Sequence, residues 1–168
     1  MATSHDHITE AQAQLIRESQ VFFVASAAPD LSRGPAGQGP VNLSPKGGTP
    51  LQIIDENRVA YLDYTGSGNE TARHADGPMT LMVMSMSRTD AAVVRLYGTA
   101  TVTPIEASPL RELMLSEPAD DIALPPRQVI DVQIHATQTS CGYGVPVYDF
   151  VAQRTVSERG RCYKEVIA

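Results

Sequence analysis

Short runs of strand-forming residues recur along the chain, and half of the gaps between them are too short to hold a helical crossover. These runs are residues 21–27, 41–47, 51–54, 59–62, 79–86, 92–103 and 129–135. Parallel neighbours need a connection of about a dozen residues or more, usually a helix, whereas antiparallel neighbours need only a short turn. The spacing therefore predicts six or seven mainly antiparallel strands that close, or nearly close, into a barrel rather than a doubly wound sheet.

Short helices are predicted at the edges of this barrel. Thr9 and Gln12 form a capping-box pattern at the start of residues 9–19. Ser108 followed by Pro109 is typical of an N-cap and the first position of a helix. The fold class expected from these patterns is mainly β with peripheral helices. Within the run 92–103, Gly98 indicates a bulge or a close approach of another group.

Size and charge narrow the classes of protein. A chain of 168 residues predicts one domain, here 1–168, with a mobile segment over 1–7 and a poorly ordered tail over 155–168.

The net charge of -6 argues against a nucleic-acid partner, which needs a basic face. No apolar run is long enough to cross a membrane, and the polar N-terminus lacks a signal core, so a cytoplasmic location is expected. No metal site is predicted, because the two cysteines form no C-x-x-C pair.

The stretch 61–74, YLDYTGSGNETARH, changes from a strand pattern to a helix pattern through two glycines. Ser67 and Glu70 are spaced as a capping box, which makes Ser67 the expected N-cap and Glu70 the N3 residue. A helix start flanked by Gly66 and Gly68 can present N–H groups to an anion such as phosphate. The same pattern is also typical of an ordinary capped turn, and the stretch alone leaves both readings open.

Four segments in this order resemble the pyridoxamine 5′-phosphate oxidase-like FMN-binding split-barrel proteins: VNLSPKG, YLDYTGSGNETARH, VRLYGTATV and TSCGYGVPVYDF. The resemblance extends over about residues 8–150. It implies a six-stranded antiparallel split barrel, a homodimer, and FMN in a groove between the subunits. It also implies an oxidoreductase that acts on an unknown small molecule, with NADH or NADPH as a candidate donor. The alternatives are a flavin-binding protein without turnover, and a split barrel that uses a deazaflavin or haem.

The resemblance also implies which residues bind the cofactor, while it names no catalytic residue. Lys46 stands where the oxidases have a flavin-contacting lysine. Gly68 and Asn69 stand where they carry an arginine-lysine pair on the phosphate, and this chain has no tryptophan to match their C-terminal one. The predicted cofactor-binding residues are Asn42, Leu43, Ser44, Lys46, Asp63, Thr65, Gly66, Ser67, Gly68, Asn69, Thr71, Arg95, Ser140, Cys141, Gly142 and Tyr143.

Three further residues carry specific expectations. Arg95 lies within an apolar strand and should have an anionic partner, either FMN or a carboxylate such as Asp63. Cys141 is expected in a polar loop over 137–146 that closes over the partner subunit's flavin, rather than to act as a nucleophile. His74, which follows the glycine turn, is expected at the surface.

Overall fold

A computed structural model describes residues 2–31, 40–65, 68–116, 124–154 and 158. Within these residues eight strands form one antiparallel sheet, with three helices and one 3-10 turn (Ile105–Ala107) around it. The strands are β1 (Thr3–His5), β2 (Val21–Ala27), β3 (Val41–Gly47), β4 (Gln52–Asp55), β5 (Arg58–Tyr64), β6 (Pro78–Met84), β7 (Ala92–Pro104) and β8 (Pro126–Cys141). The helices are α1 (Glu10–Glu18), α2 (Glu70–Arg73) and α3 (Arg111–Ser116).

The sheet has the order β3-β2-β6-β7-β8-β5-β4, with β1 paired to β8. It curls on itself, because side chains from strands far apart in this order meet. The Phe22 ring on β2 lies 5.2 Å from the Tyr61 ring on β5. Lys46 on the edge strand β3 lies 3.7 Å from Asp63 on β5. The predicted class is thus confirmed, as mainly β with an antiparallel split barrel, although the described strands number eight rather than six.

Alternation along the strands places the core inside the curled sheet. On β2 the buried positions are Phe22, Val24 and Ser26, and the residues between them are half-buried. This is the period of two that a strand with one covered face requires. On β7 a register shift falls between Tyr97 and Gly98, and a Cβ atom at Gly98 would overlap the carbonyl oxygen of Gln133 on β8. The bulge and the close approach predicted for Gly98 are both present.

Several predicted elements have the expected bounds. The strands β2 and β3 span the predicted residues, and Pro45 is accommodated because β3 is an edge strand. Helix α1 begins after Thr9, whose hydroxyl accepts from the backbone of Gln12 while the Gln12 side chain accepts from the backbone of Thr9. This is the predicted capping box.

Other elements differ from the prediction. Strand β8 continues to Cys141, so residues 137–141 are paired strand rather than loop, because β1 and β7 satisfy their backbone groups. Residues 3–5 were expected in a mobile segment, whereas they form β1 on β8. Residues 147–154 form neither a helix nor a strand. The tail residues 155–157 and 159–168, with Cys162, lie outside the described residues.

Candidate functional site

A cavity of about 150 Å³ lies where β3, β5, β8 and α2 meet. Its lining is mostly polar, and it joins residues that are far apart in the sequence. The lining residues are Ser44, Pro45, Lys46, Asp63, Gly68, Asn69, Glu70, Thr71, Ala72 and Ile130. Six of these, Ser44, Lys46, Asp63, Gly68, Asn69 and Thr71, are among the predicted cofactor-binding residues.

Asp63 is the centre of charge in this cavity. Its Oδ2 accepts from Arg127 Nη2 at 2.6 Å and from Gln128 Nε2 at 2.8 Å. Its Oδ1 lies 3.7 Å from Lys46 Nζ. The carboxylate is almost fully buried, and burial of a charge is costly unless it is paired and hydrogen-bonded. The two cations and the Gln128 amide therefore fix the position of the Asp63 carboxylate, and the carboxylate fixes theirs.

Gln128 connects this carboxylate to the start of α2. The same Nε2 atom that donates to Asp63 also donates to Asn69 Oδ1 at 2.7 Å. An amide nitrogen has two hydrogens, so both bonds can form at once. The segment that leads into α2 is thereby tied to β8 and β5.

The polar face of β3 forms the opposite wall. Alternation puts Asn42, Ser44 and Lys46 on the inner face, while Leu43 points outward and is 67% exposed. Asn42 Nδ2 donates to Ser44 Oγ at 3.0 Å and to Thr71 Oγ1 at 3.3 Å. These bonds join β3 to α2 across the cavity. Leu43 was predicted to bind the cofactor, and its side chain is outside this cavity.

Tyr61 lies beneath the lysine in the core. Lys46 Nζ is 6.0 Å from the centre of its ring. Burial, and secondarily the charge of Asp63, raises the pKa of the Tyr61 hydroxyl above its ordinary value of 10.0. The hydroxyl oxygen is buried and has no hydrogen-bond partner within the described residues. Tyr61 therefore stays uncharged and packs in the core, and it is not a proton donor or acceptor for the cavity.

The start of α2 differs from the predicted anion cradle. The helix begins at Glu70 with Asn69 as N-cap, so Glu70 is the first helical residue rather than N3, and the capping box predicted with Ser67 is wrong. The Glu70 carboxylate lies over Gly68, where a Cβ atom would meet it. Because α2 has only one turn, its dipole is small, and the side chains set the charge in the cavity. Gly66 and Ser67 lie outside the described residues.

A second group of predicted residues lies elsewhere on the sheet. Arg95 Nη1 on β7 donates to Ser140 Oγ on β8 at 3.0 Å. Of the two partners that the sequence left open for Arg95, FMN or a carboxylate such as Asp63, the Asp63 alternative is wrong. The carboxylate of Asp63 is occupied by Arg127, Gln128 and Lys46 instead.

The residues after Ser140 lie near the surface rather than in the cavity. Cys141 is exposed and ends β8, and its sulfur accepts from the backbone N–H of Tyr143 at 3.4 Å. Gly142 is buried against Ala91, and the Tyr143 side chain is 94% exposed.

Thr65 and His74, two more residues for which the sequence makes a prediction, lie near the cavity but not in it. Thr65 donates from its backbone N–H to the carbonyl of Pro125 at 3.2 Å, so it anchors the chain leading into β8 and does not line the cavity. His74 was expected at the surface, yet it is 1% exposed. Its Nδ1 lies 3.0 Å from Ser26 Oγ, and this contact joins the C-terminal end of α2 to β2.

Arg127 and Gln128 are the site residues that sequence reasoning missed. The alternating pattern predicts a strand only from residue 129, which leaves the two preceding residues outside the predicted strand. In the structure β8 begins at Pro126, and Gln128 is paired in register with Asp63 on β5. Extending the predicted strand by three residues at its start would have included Gln128. Pairing of that longer strand with β5 could then have placed Gln128 beside Asp63.

Comparison with known proteins supports the resemblance that the sequence motifs indicate. No protein-family model matches the chain. The pyridoxamine 5′-phosphate oxidase family protein ustO of Aspergillus flavus is 31% identical over 152 residues, which cover 86% of this chain and 56% of ustO. This chain therefore spans little more than half the length of that relative.

Solved structures share the fold. A candidate pyridoxamine 5′-phosphate oxidase of Lactobacillus delbrueckii matches with a TM-score of 0.55 and 20% identity over 79% of this chain and 94% of its own. An FMN-binding protein of Syntrophomonas wolfei matches with a TM-score of 0.50 and 9% identity over 74% and 85% of the two chains. The chain thus has the split-barrel fold and resembles the pyridoxamine 5′-phosphate oxidase family in sequence, as its four motif segments predicted. Within the described residues, no helix is long and apolar enough to cross a membrane.

Proposed function

We propose that this chain is an FMN-dependent oxidoreductase of the pyridoxamine 5′-phosphate oxidase-like group, acting on a small molecule, and that FMN is its cofactor. The observation that carries the proposal is the polar cavity between β3 and α2, where Lys46, Ser44, Asn69 and Thr71 converge. These are positions at which the family resemblance expects cofactor contacts. The FMN-binding protein of Syntrophomonas wolfei adds support, since it binds this cofactor on the same fold.

The size of the cavity favours a site completed by a second subunit. Pockets that hold a drug-sized ligand are typically about 300–1,000 Å³. A cavity of about 150 Å³ is below this range and fits the phosphate end of FMN better than its ring system. We infer that the chain forms a homodimer in which the ring lies between subunits. The second group, with Arg95, Ser140, Cys141, Gly142 and Tyr143, would then come from the partner.

The side chains of the cavity are suited to binding rather than to proton transfer. Lys46 and Asp63 are paired with each other, and Arg127 also holds the carboxylate. FMN, when bound, would supply the two-electron redox chemistry. The chain would orient it: Lys46 supplies positive charge, and Ser44 and Thr71 supply hydroxyl hydrogens, since Asn42 already donates to both oxygens.

An absorption spectrum of the purified protein tests the cofactor. Flavin bands are expected, whereas a Soret band or a colourless preparation that does not take up added FMN contradicts the proposal. Addition of NADH or NADPH without oxygen then tests turnover, with bleaching of the flavin bands expected. Bound flavin that neither donor bleaches, with or without candidate substrates, would favour a flavin-binding protein without turnover.

Subunit mixing tests the interface. Lys46→Met and Arg95→Met homodimers should each bind FMN poorly. If the two residues come from different subunits, a dimer with one subunit of each variant has one site in which both residues are intact. One of the two sites in each mixed dimer should then bind FMN again. If both residues belong to the site of one subunit, mixing restores no FMN binding, and the proposal of a site shared between subunits is wrong.

A further inference from the structure

We propose that Gln128 is a positioning residue, which turns the Asn69 amide so that its N–H groups face the cavity and select a fully ionised phosphate group. This inference rests on the proposed function and names the chemical group that the cavity would take. It starts from the chain of hydrogen bonds from Asp63 through Gln128 to Asn69.

The direction of these bonds follows from the carboxylate. Asp63 is paired with Arg127 and Lys46, so it is a carboxylate and can only accept. The atom of Gln128 that meets it must therefore be the nitrogen, Nε2. The same nitrogen lies 2.7 Å from the Asn69 amide, and a nitrogen can only donate there, so Asn69 presents its oxygen to Gln128.

The orientation of Asn69 has a consequence for the cavity. With Oδ1 turned toward Gln128, Nδ2 is turned away from it, and Asn69 is one of the residues that line the cavity. On the opposite wall, Asn42 Nδ2 occupies acceptor positions of Ser44 and Thr71, which leaves their hydroxyl hydrogens to donate. Lys46 has only donors. The groups offered by these four residues are thus donors, which match a group that only accepts.

Burial makes the arrangement specific. Gln128 is 9% exposed and Asp63 is also buried, so neither amide nor carboxylate can readily exchange its partner for water. A hydrogen bond from a neutral donor to a charged group contributes more than one between two neutral groups. An Asn69 amide turned the wrong way would present an acceptor to the phosphate and lose that contribution.

The experiment compares FMN with riboflavin, which has the same ring and lacks the phosphate. Gln128→Met keeps the length of the side chain and removes its donors. It should weaken FMN binding about ten-fold and leave riboflavin binding unchanged. Asn69→Asp keeps an acceptor for Gln128 and places a second oxygen in the cavity, so it should weaken FMN more strongly than Gln128→Met does. Gln133→Met, on the exposed side of the same strand, is the matched control and should change neither affinity.

A double variant separates positioning from general damage. If Gln128 acts through Asn69, adding Gln128→Met to Asn69→Ala should weaken FMN no further. Equal losses of FMN and riboflavin affinity, or additive losses in the double variant, would overturn the inference while FMN binding by the native protein still supports the proposed function.

Inorganic phosphate provides a readout that does not depend on FMN. It should shift the side-chain amide resonances of Asn69 in the native protein, and much less in Gln128→Met. If the native protein binds phosphate in this way and does not bind FMN, the inference stands and the proposed function falls. If it binds neither ligand, both are wrong.

Discussion

The two ends of strand β8 carry similar polar residues that have different surroundings. At its start, Arg127 and Gln128 converge with Lys46 on the single buried carboxylate of Asp63. Near its end, Ser140 meets Arg95 through one hydrogen bond, and Cys141 is exposed. The twelve steps along the strand from Gln128 to Ser140 correspond to about 40 Å of extended strand. The residues near the second end are not among those that line the cavity.

The first end is a cluster of mutually paired polar groups, whereas the second end is a more exposed surface with fewer contacts. Several donors on one carboxylate fix each other's positions. Arg95 has one hydroxyl partner among the described residues, so most of its five donors are available to another group. The first end defines the cavity, and the second end is a candidate contribution to a neighbouring subunit's site.

The largest expected effect concerns Gly98, whose bulge lies between the two ends. Gly98→Ala would force a methyl group against the carbonyl of Gln133, and we expect a loss of about 3 kcal/mol of unfolding free energy. Urea denaturation measures it. Gly144→Ala is the control, because nothing lies within 4 Å of its Cβ position. Equal stability of the two variants would mean that the bulge does not fix the register of β7 on β8.

The next effect tests the carboxylate at the first end. Asp63→Asn leaves Lys46 and Arg127 half-buried with their shared counterion removed, and we expect a loss of about 2 kcal/mol. Asp131→Asn, which breaks the pair with Arg58 between the same two strands, should cost about 1 kcal/mol, since Arg58 is more exposed than Lys46. Denaturation at low and high salt measures both, and a larger loss for Asp131→Asn would contradict the central place of Asp63.

A smaller effect concerns the negative charge at the mouth of the cavity. Glu70 lines the cavity near Gly68, so its carboxylate repels a bound phosphate. Glu70→Gln should tighten FMN binding about three-fold at low salt, which corresponds to about 0.6 kcal/mol, and less at high salt. Glu112→Gln, on exposed α3, should leave the affinity unchanged. Weaker binding by Glu70→Gln would show that the carboxylate supports the cavity.

The smallest effect at neutral pH concerns Tyr61 beneath Lys46. Tyr61→Phe removes a buried hydroxyl that has no partner among the described residues, so stability at pH 7 should change by less than about 0.5 kcal/mol. At alkaline pH the two proteins should differ. Burial raises the pKa of Tyr61 above 10.0, so the unfolded chain releases a proton that the folded chain keeps.

The sign follows from this linkage. The contribution of Tyr61 is fully present below pH 10 and is lost as the pH rises above it, so native stability should fall there more steeply than that of Tyr61→Phe. Tyr64, whose pKa burial also raises, contributes the same trend to both proteins. Unfolding midpoints between pH 9 and 11 measure the difference, and parallel curves would mean that Tyr61 is accessible to solvent.

The sequence alone determined the features that depend on neighbouring residues. A run of strand formers predicted β2, alternation up to Pro45 predicted β3, the Thr9 capping box predicted the start of α1, and Gly98 predicted the bulge. Each follows from backbone geometry or from contacts a few residues apart. The motif segments also located much of the cavity, because β3 and the stretch around Asn69 were predicted to face the cofactor.

Only the tertiary structure decided which charges and amides meet. Arg127 and Gln128 contact Asp63 across 64 and 65 residues of sequence, and no local pattern encodes such a pairing. The same holds for the Ser140 partner of Arg95 and for the burial of His74 against Ser26. Strand register sets these contacts, and register depends on how the whole sheet curls around its core.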